Sequence, residues 1–105
     1  MNPRILRTLP REKAFYFFTS IGNYTGDSAA SLKEFMDKIN EVNVKSLEFH
    51  LYRGDFEKWI ADVLEDKDLA IRIGNLREKD YSGGTLRQYL YSILVKHYEE
   101  LSSKF

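Results

Sequence analysis

SLEFHLYRGDFEKWIADVLEDKDLA, residues Ser46–Ala70, is the stretch from which the rest of the chain takes its organisation. Asp55 reads as the cap of a helix in which Phe56, Trp59, Ile60, Val63 and Leu64 form an apolar stripe, with Glu57, Lys58, Asp62 and Glu65 facing outward. On its N-terminal side, Asn43 can cap a helix carrying Val44, Leu47 and Leu51 on one face, closed by Gly54 as a left-handed terminator. On its C-terminal side, Asp66 opens a short helix with Leu69, Ala70, Ile73 and Leu76. Gly74 costs that helix about 1 kcal/mol relative to alanine, so it is expected to end nearby.

Further out, Ser31-Leu32-Lys33-Glu34 is a capping box opening a helix with Leu32, Phe35, Met36 and Ile39 on one face. Thr85-Leu86-Arg87-Gln88 repeats the signature, and the helix it opens runs to about Ser102, with Leu86, Leu90, Ile93, Leu94, His97 and Leu101 inward. Arg77–Gly84 between them is polar and ends in Gly-Gly, and reads as a loop. Residues 13–21, KAFYFFTSI, are dense in aromatic and β-favouring residues and are followed by the turn-prone GNYTGD. No second strand of similar quality is present, and a lone strand leaves its backbone groups unpaired. Either the segment plugs irregularly into the helical core, or it pairs across a homodimer interface.

The expected fold is therefore mainly α: about five short helices packed around an aromatic-rich N-terminal extended segment, a possible single strand. Residues 1–12, with Pro3, Pro10, Arg4, Arg7 and Arg11, are expected to be a flexible basic tail, and 13–105 a single helical domain.

Composition narrows the function classes. The 105 residues are 43% hydrophobic and 14% aromatic, enough for one buried core and too apolar for global disorder. Sixteen basic residues balance sixteen acidic ones, which removes the usual electrostatic argument for nucleic-acid binding. The absence of cysteine excludes disulfides, a thiol nucleophile and cysteine-ligated metals, and a charged fraction of 30% without cysteine suits a thermophile. Nothing in MNPRILRTLP reads as a secretory signal, and no apolar run approaches the ~18 residues of a membrane span. A cytoplasmic location without membrane attachment is the expectation.

His50, Arg53-Gly54-Asp55-Phe56, Trp59-Ile60, Val63-Leu64, Asp66 and Leu69-Ala70 together resemble an uncharacterised domain-of-unknown-function family found in archaea and bacteria. The similarity extends from about Phe15 to Leu101. It implies a small helical module found alone or attached to larger enzymes, and it brings no activity and no catalytic residue.

Candidate chemistry is sparse. His50 can pair with Asp55 or sit over Trp59; a His–Asp pair serves as a general base only with a substrate in reach, and a histidine tying two helices together explains the same spacing. His97 could approach His50 through tertiary packing, but no HxxxH or HExxH spacing supports a metal site. Glu57, Asp62, Glu65, Asp66 and Asp68, interspersed with lysines, look like a solvated helix face. Ser82, Gly83, Gly84 and Arg87 could present a helix start to phosphate, although the lysine of a P-loop is missing.

Phe15–Phe18 and the tyrosines of the last helix are the best source of an exposed aromatic patch. The residues singled out for binding are thus Phe15, Phe17, His50, Arg53, Trp59, Ser82, Gly83, Gly84 and Arg87, with none assigned to catalysis, to a metal or to a cofactor. The reading they support is a small, soluble, non-enzymatic protein-interaction module, its partner another protein or a second copy. The alternative is a nucleic-acid- or phosphate-ligand-binding protein that uses the basic N-terminal arm and the helix start at Ser82–Thr85.

Overall fold

A computed structural model describes residues 3–103, with side chains from Ile5 onward. The first two residues of the expected tail and the side chain of Arg4 lie outside the described residues, as do the last two residues of the chain.

Among the described residues there are five helices of eight residues or more, and the chain is mainly α. After a helical turn, α1 (Pro3–Leu6), and a single 3-10 turn at Arg11–Lys13, come strands β1 (Phe15–Ser20) and β2 (Asn23–Ala29). Helices α2 (Leu32–Glu41), α3 (Val44–Arg53), α4 (Asp55–Asp62), α5 (Lys67–Gly74) and α6 (Gly83–Ser102) follow, with a 3-10 segment at Asn75–Lys79 between the last two.

The strand at Phe15–Ser20 is not alone. It pairs antiparallel with Asn23–Ala29 around a two-residue turn, with Phe15 opposite Ala29 and Tyr16 opposite Ser28. Strand pairing within the chain replaces both expectations for the segment, the irregular plug and the intermolecular strand. The register slips on either side of Phe18, and Gly26, at φ +91°, takes the left-handed backbone that the irregularity in β2 requires. Burial alternates along the start of the strand: Phe15 and Phe17 are buried while Tyr16 is exposed. Phe17 lies in a ring cluster with Phe35 and Phe56, so this part of the expected surface patch is core.

Three of the sequence-read caps hold. The Ser31 hydroxyl accepts from the Glu34 amide, the Asn43 side chain from Lys45 and the Asp66 carboxylate from Leu69. Gly54 closes α3 at φ +81°, its amide donating to the last turn. Two readings are corrected. Asp55 makes no cap bond to α4, because its carboxylate turns back to His50 and Arg53. Thr85 does not open α6; the helix begins at Gly83, whose amide donates to the Glu48 carboxylate on α3 at 2.7 Å.

In the packing, α3 touches β1, α4 and α6; α2 touches β2 and α6; α5 touches α4 and α6. The core runs through all of them, and Ile5 and Leu9 belong to it. The Leu9 amide donates to Ala30 O, and Arg7 donates to Val63 O at 2.8 Å, which fastens this part of the N-terminal segment onto the domain. No helix among the described residues is long and apolar enough to cross a membrane.

Candidate functional site

Two clefts are each lined by a histidine–aspartate pair.

The first cleft lies between the hairpin and α3 and has a volume of about 440 Å³. Its walls are Phe15, Tyr16, Phe18 and Phe49, its lip is Ile21 at the hairpin turn, and His50, Arg53 and Asp55 form its polar side. Helical spacing places Phe49, His50 and Arg53 together, and Gly54 ends α3 so sharply that Asp55 comes back beside His50. The His50 ring is buried, and its two nitrogens are both committed. Nε2 accepts from the Phe18 backbone amide at 2.8 Å, and Nδ1 lies 2.8 Å from Asp55 Oδ2. Only one tautomer satisfies both bonds: Nδ1 carries the proton and donates it to Asp55, and the ring is neutral. Burial pushes the His50 pKa down, against the opposing pull of Asp55. With its only lone pair taken by backbone, this imidazole has no basic nitrogen for a substrate. It ties β1, α3 and α4 together.

Arg53 sits over the Phe49 ring at 4.7 Å and pairs with Asp55 at 3.3 Å, so one guanidinium both stacks and neutralises. Ile21 is 87% exposed, with Tyr16 and Tyr24 partly exposed beside it.

The second cleft lies between α5 and the end of α6, with a volume of about 480 Å³. His97 Nε2 is 2.6 Å from Asp66 Oδ2, and both side chains are 5% exposed. Burial raises the Asp66 pKa, but the hydrogen bonds from His97 and the Leu69 amide, with the charge of Arg72, outweigh it and hold it below the usual carboxylate range. Asp66, read as part of a solvated face, is instead buried: one oxygen caps α5 and the other grips α6. The other ring nitrogen, His97 Nδ1, is buried without a hydrogen-bond partner.

The remaining sequence candidates are distributed elsewhere. Phe15, His50 and Arg53 meet in the first cleft, with Phe17 beneath in the core. Trp59 is buried and donates its indole N–H to Lys13 O at 2.8 Å, a structural tie. Ser82, Gly83 and Gly84 start α6 without lining either cleft, and Arg87 reaches back to the carbonyls of Ile39 and Val42, where α2 runs out of amides. Sequence reasoning missed the pairing of Asp66 with His97, which only the packing of α5 on α6 brings together. It also missed Phe49 and Ile21 as cleft residues; an apolar residue at a two-residue hairpin turn was the available signal for Ile21. Among the described residues no cluster of three or more histidine, aspartate or glutamate side chains is arranged to hold a metal ion.

Comparison with known proteins gives a family and nothing narrower. Residues 10–104 match the sequence profile of a family of unknown function, DUF5752, and the chain belongs to that family. No curated protein and no solved structure matches it.

Proposed function

We propose that this chain, whose family carries no assigned activity, is a binding module that seats an apolar segment of a protein partner between its hairpin and α3. The observation that carries the reading is the aromatic cleft with the exposed Ile21 at its lip. Large apolar residues gathered at one exposed cleft, rather than scattered, are what interaction sites present. Arg53 and Asp55, paired at the rim, add polar groups of both signs beside the apolar wall. His50 supports a non-catalytic role, since both of its nitrogens are used internally.

The phosphate-binding alternative draws no support from the geometry. The amide at the start of α6 already faces the Glu48 carboxylate, Arg87 is spent on α2 carbonyls, and Arg7 on Val63.

The test is a displayed-peptide selection against the full chain, with Ile21→Asp as the counter-target and solution mass measured for both. Enrichment of segments with an aromatic or branched aliphatic anchor, binding at least tenfold more weakly to the variant, supports the reading. A dimer that Ile21→Asp dissociates would make the partner a second copy. Peptides that bind both proteins equally, or no enrichment from a monomeric protein, would overturn it.

A further inference from the structure

The second cleft holds an arrangement that the proposed partner-binding role does not use. His97 Nε2 donates its N–H to buried Asp66, so in the neutral ring Nδ1 carries the lone pair. That nitrogen has no hydrogen-bond partner, although its side chain is 95% out of solvent. A buried, unpartnered acceptor is costly, and such atoms commonly find water, an ion or a ligand. Two further carboxylate oxygens lie close to it: Asp68 Oδ2 at 3.9 Å and Glu100 Oε1 at 4.0 Å. His97, Asp68 and Glu100 line one cleft together with Arg72.

Arg72 neutralises part of this cluster. It lies 3.5 Å from Asp68 Oδ2 and 3.2 Å from Glu100 Oε1, and each oxygen has a second lone pair to offer. With buried Asp66, the three carboxylates and one guanidinium of the cleft leave a formal charge of −2 around a neutral His97 ring, which favours a cationic guest. The spacing discriminates further. A metal at about 2.1 Å from each ligand brings tetrahedral neighbours within about 3.4 Å of one another, closer than the separations from Nδ1 seen here. Hydrogen bonds of about 2.8 Å from one central nitrogen span 3.9–4.0 Å comfortably.

We propose that the cleft between α5 and α6 binds a primary ammonium group, whose three N–H donors meet His97 Nδ1, Asp68 and Glu100. Asp66 fixes the tautomer that makes Nδ1 an acceptor, and Leu101 supplies an apolar wall for the attached carbon chain. The volume of about 480 Å³ suits a small ligand or a single long side chain. A free alkylamine and a lysine side chain share this chemistry. The inference is independent of the partner-binding cleft.

The test is a titration of the isotope-labelled full chain with n-butylamine at neutral pH, followed by amide and His97 ring-nitrogen resonances. Saturable millimolar binding is expected, with shifts concentrated at Asp68, Arg72, His97 and Glu100. Glu100→Gln, at a side chain 43% exposed and so tolerant of change, should weaken it at least tenfold. Tetramethylammonium, which has the charge without N–H donors, should not compete. Nα-acetyl-lysine-N-methylamide separates the sources. Binding as tight as butylamine or tighter points to a lysine side chain, and binding tenfold weaker to a free amine. Lack of saturation, equal binding of tetramethylammonium, or indifference to Glu100→Gln would overturn the proposal.

Discussion

His50–Asp55 and His97–Asp66 are the same two residue types at nearly the same separation, 2.8 and 2.6 Å, yet they hold different chemical potential. In the first pair the histidine is saturated, with a backbone amide on one nitrogen and a carboxylate on the other. That carboxylate is itself shared with Arg53 and partly exposed. In the second the carboxylate is saturated and the histidine is left open, its free nitrogen buried against two more carboxylates. A histidine–aspartate pair is therefore no sign of chemistry by itself. What matters is which partner retains an unused valence, and whether that valence faces a space.

The contrast predicts unequal costs of disruption. Replacing His97 with alanine leaves Asp66 buried without its partner, and breaking a buried pair in this way costs about 3–5 kcal/mol. Urea unfolding at neutral pH should show a loss of that size; a loss below about 1 kcal/mol would mean that water reaches Asp66 and the pair is not buried in the sense described.

Acid should act on the first pair. The lowered pKa of His50 means that the unfolded chain takes up a proton more readily than the folded one. The stability that neutral His50 contributes is complete above the unfolded value of about 6.5 and drains away as pH falls from there toward the folded value, with a slope of at most about 1.4 kcal/mol per pH unit. Protonation also takes the lone pair from the Phe18 amide. His50→Gln should be less stable at pH 7 and should flatten this slope below about pH 6.5; an unchanged slope in the variant would assign the acid sensitivity to another group.

The smallest effect is expected at Asp55. Asp55→Asn keeps an oxygen for the His50 Nδ1–H and loses only a charge that Arg53 and solvent already share, so thermal unfolding should register a change within about 1 kcal/mol. A larger loss would make the first pair as electrostatically isolated as the second.

What could be read beforehand follows the range of the interactions. The five helices, the caps at Ser31, Asn43 and Asp66 and the stop at Gly54 depend on neighbours within four residues, and all were legible. The second strand was not. NYTGDSA buries only Ala29, so it has no alternating apolar face, and its glycine and polar residues imitate a long turn. The false cap at Thr85 has the same origin: the true partner of the α6 start is Glu48, 35 residues earlier. His50–Asp55 was legible because one glycine turn joins the two residues. His97–Asp66 spans 31 positions and exists only through the packing of two helices.

The bond from the Phe18 amide to His50 also bears on how this protein avoids misassembly. A two-stranded sheet has two open edges, and each unpaired amide along an edge is an invitation to a strand from another molecule. On β1 that invitation is withdrawn in mid-strand, because the amide points into an imidazole that is locked in place by Asp55. An incoming strand would have to break the bond to gain one. The remaining edge belongs to β2, whose irregular register and Gly26 spoil the flat, even row of groups that fibrillar stacking copies.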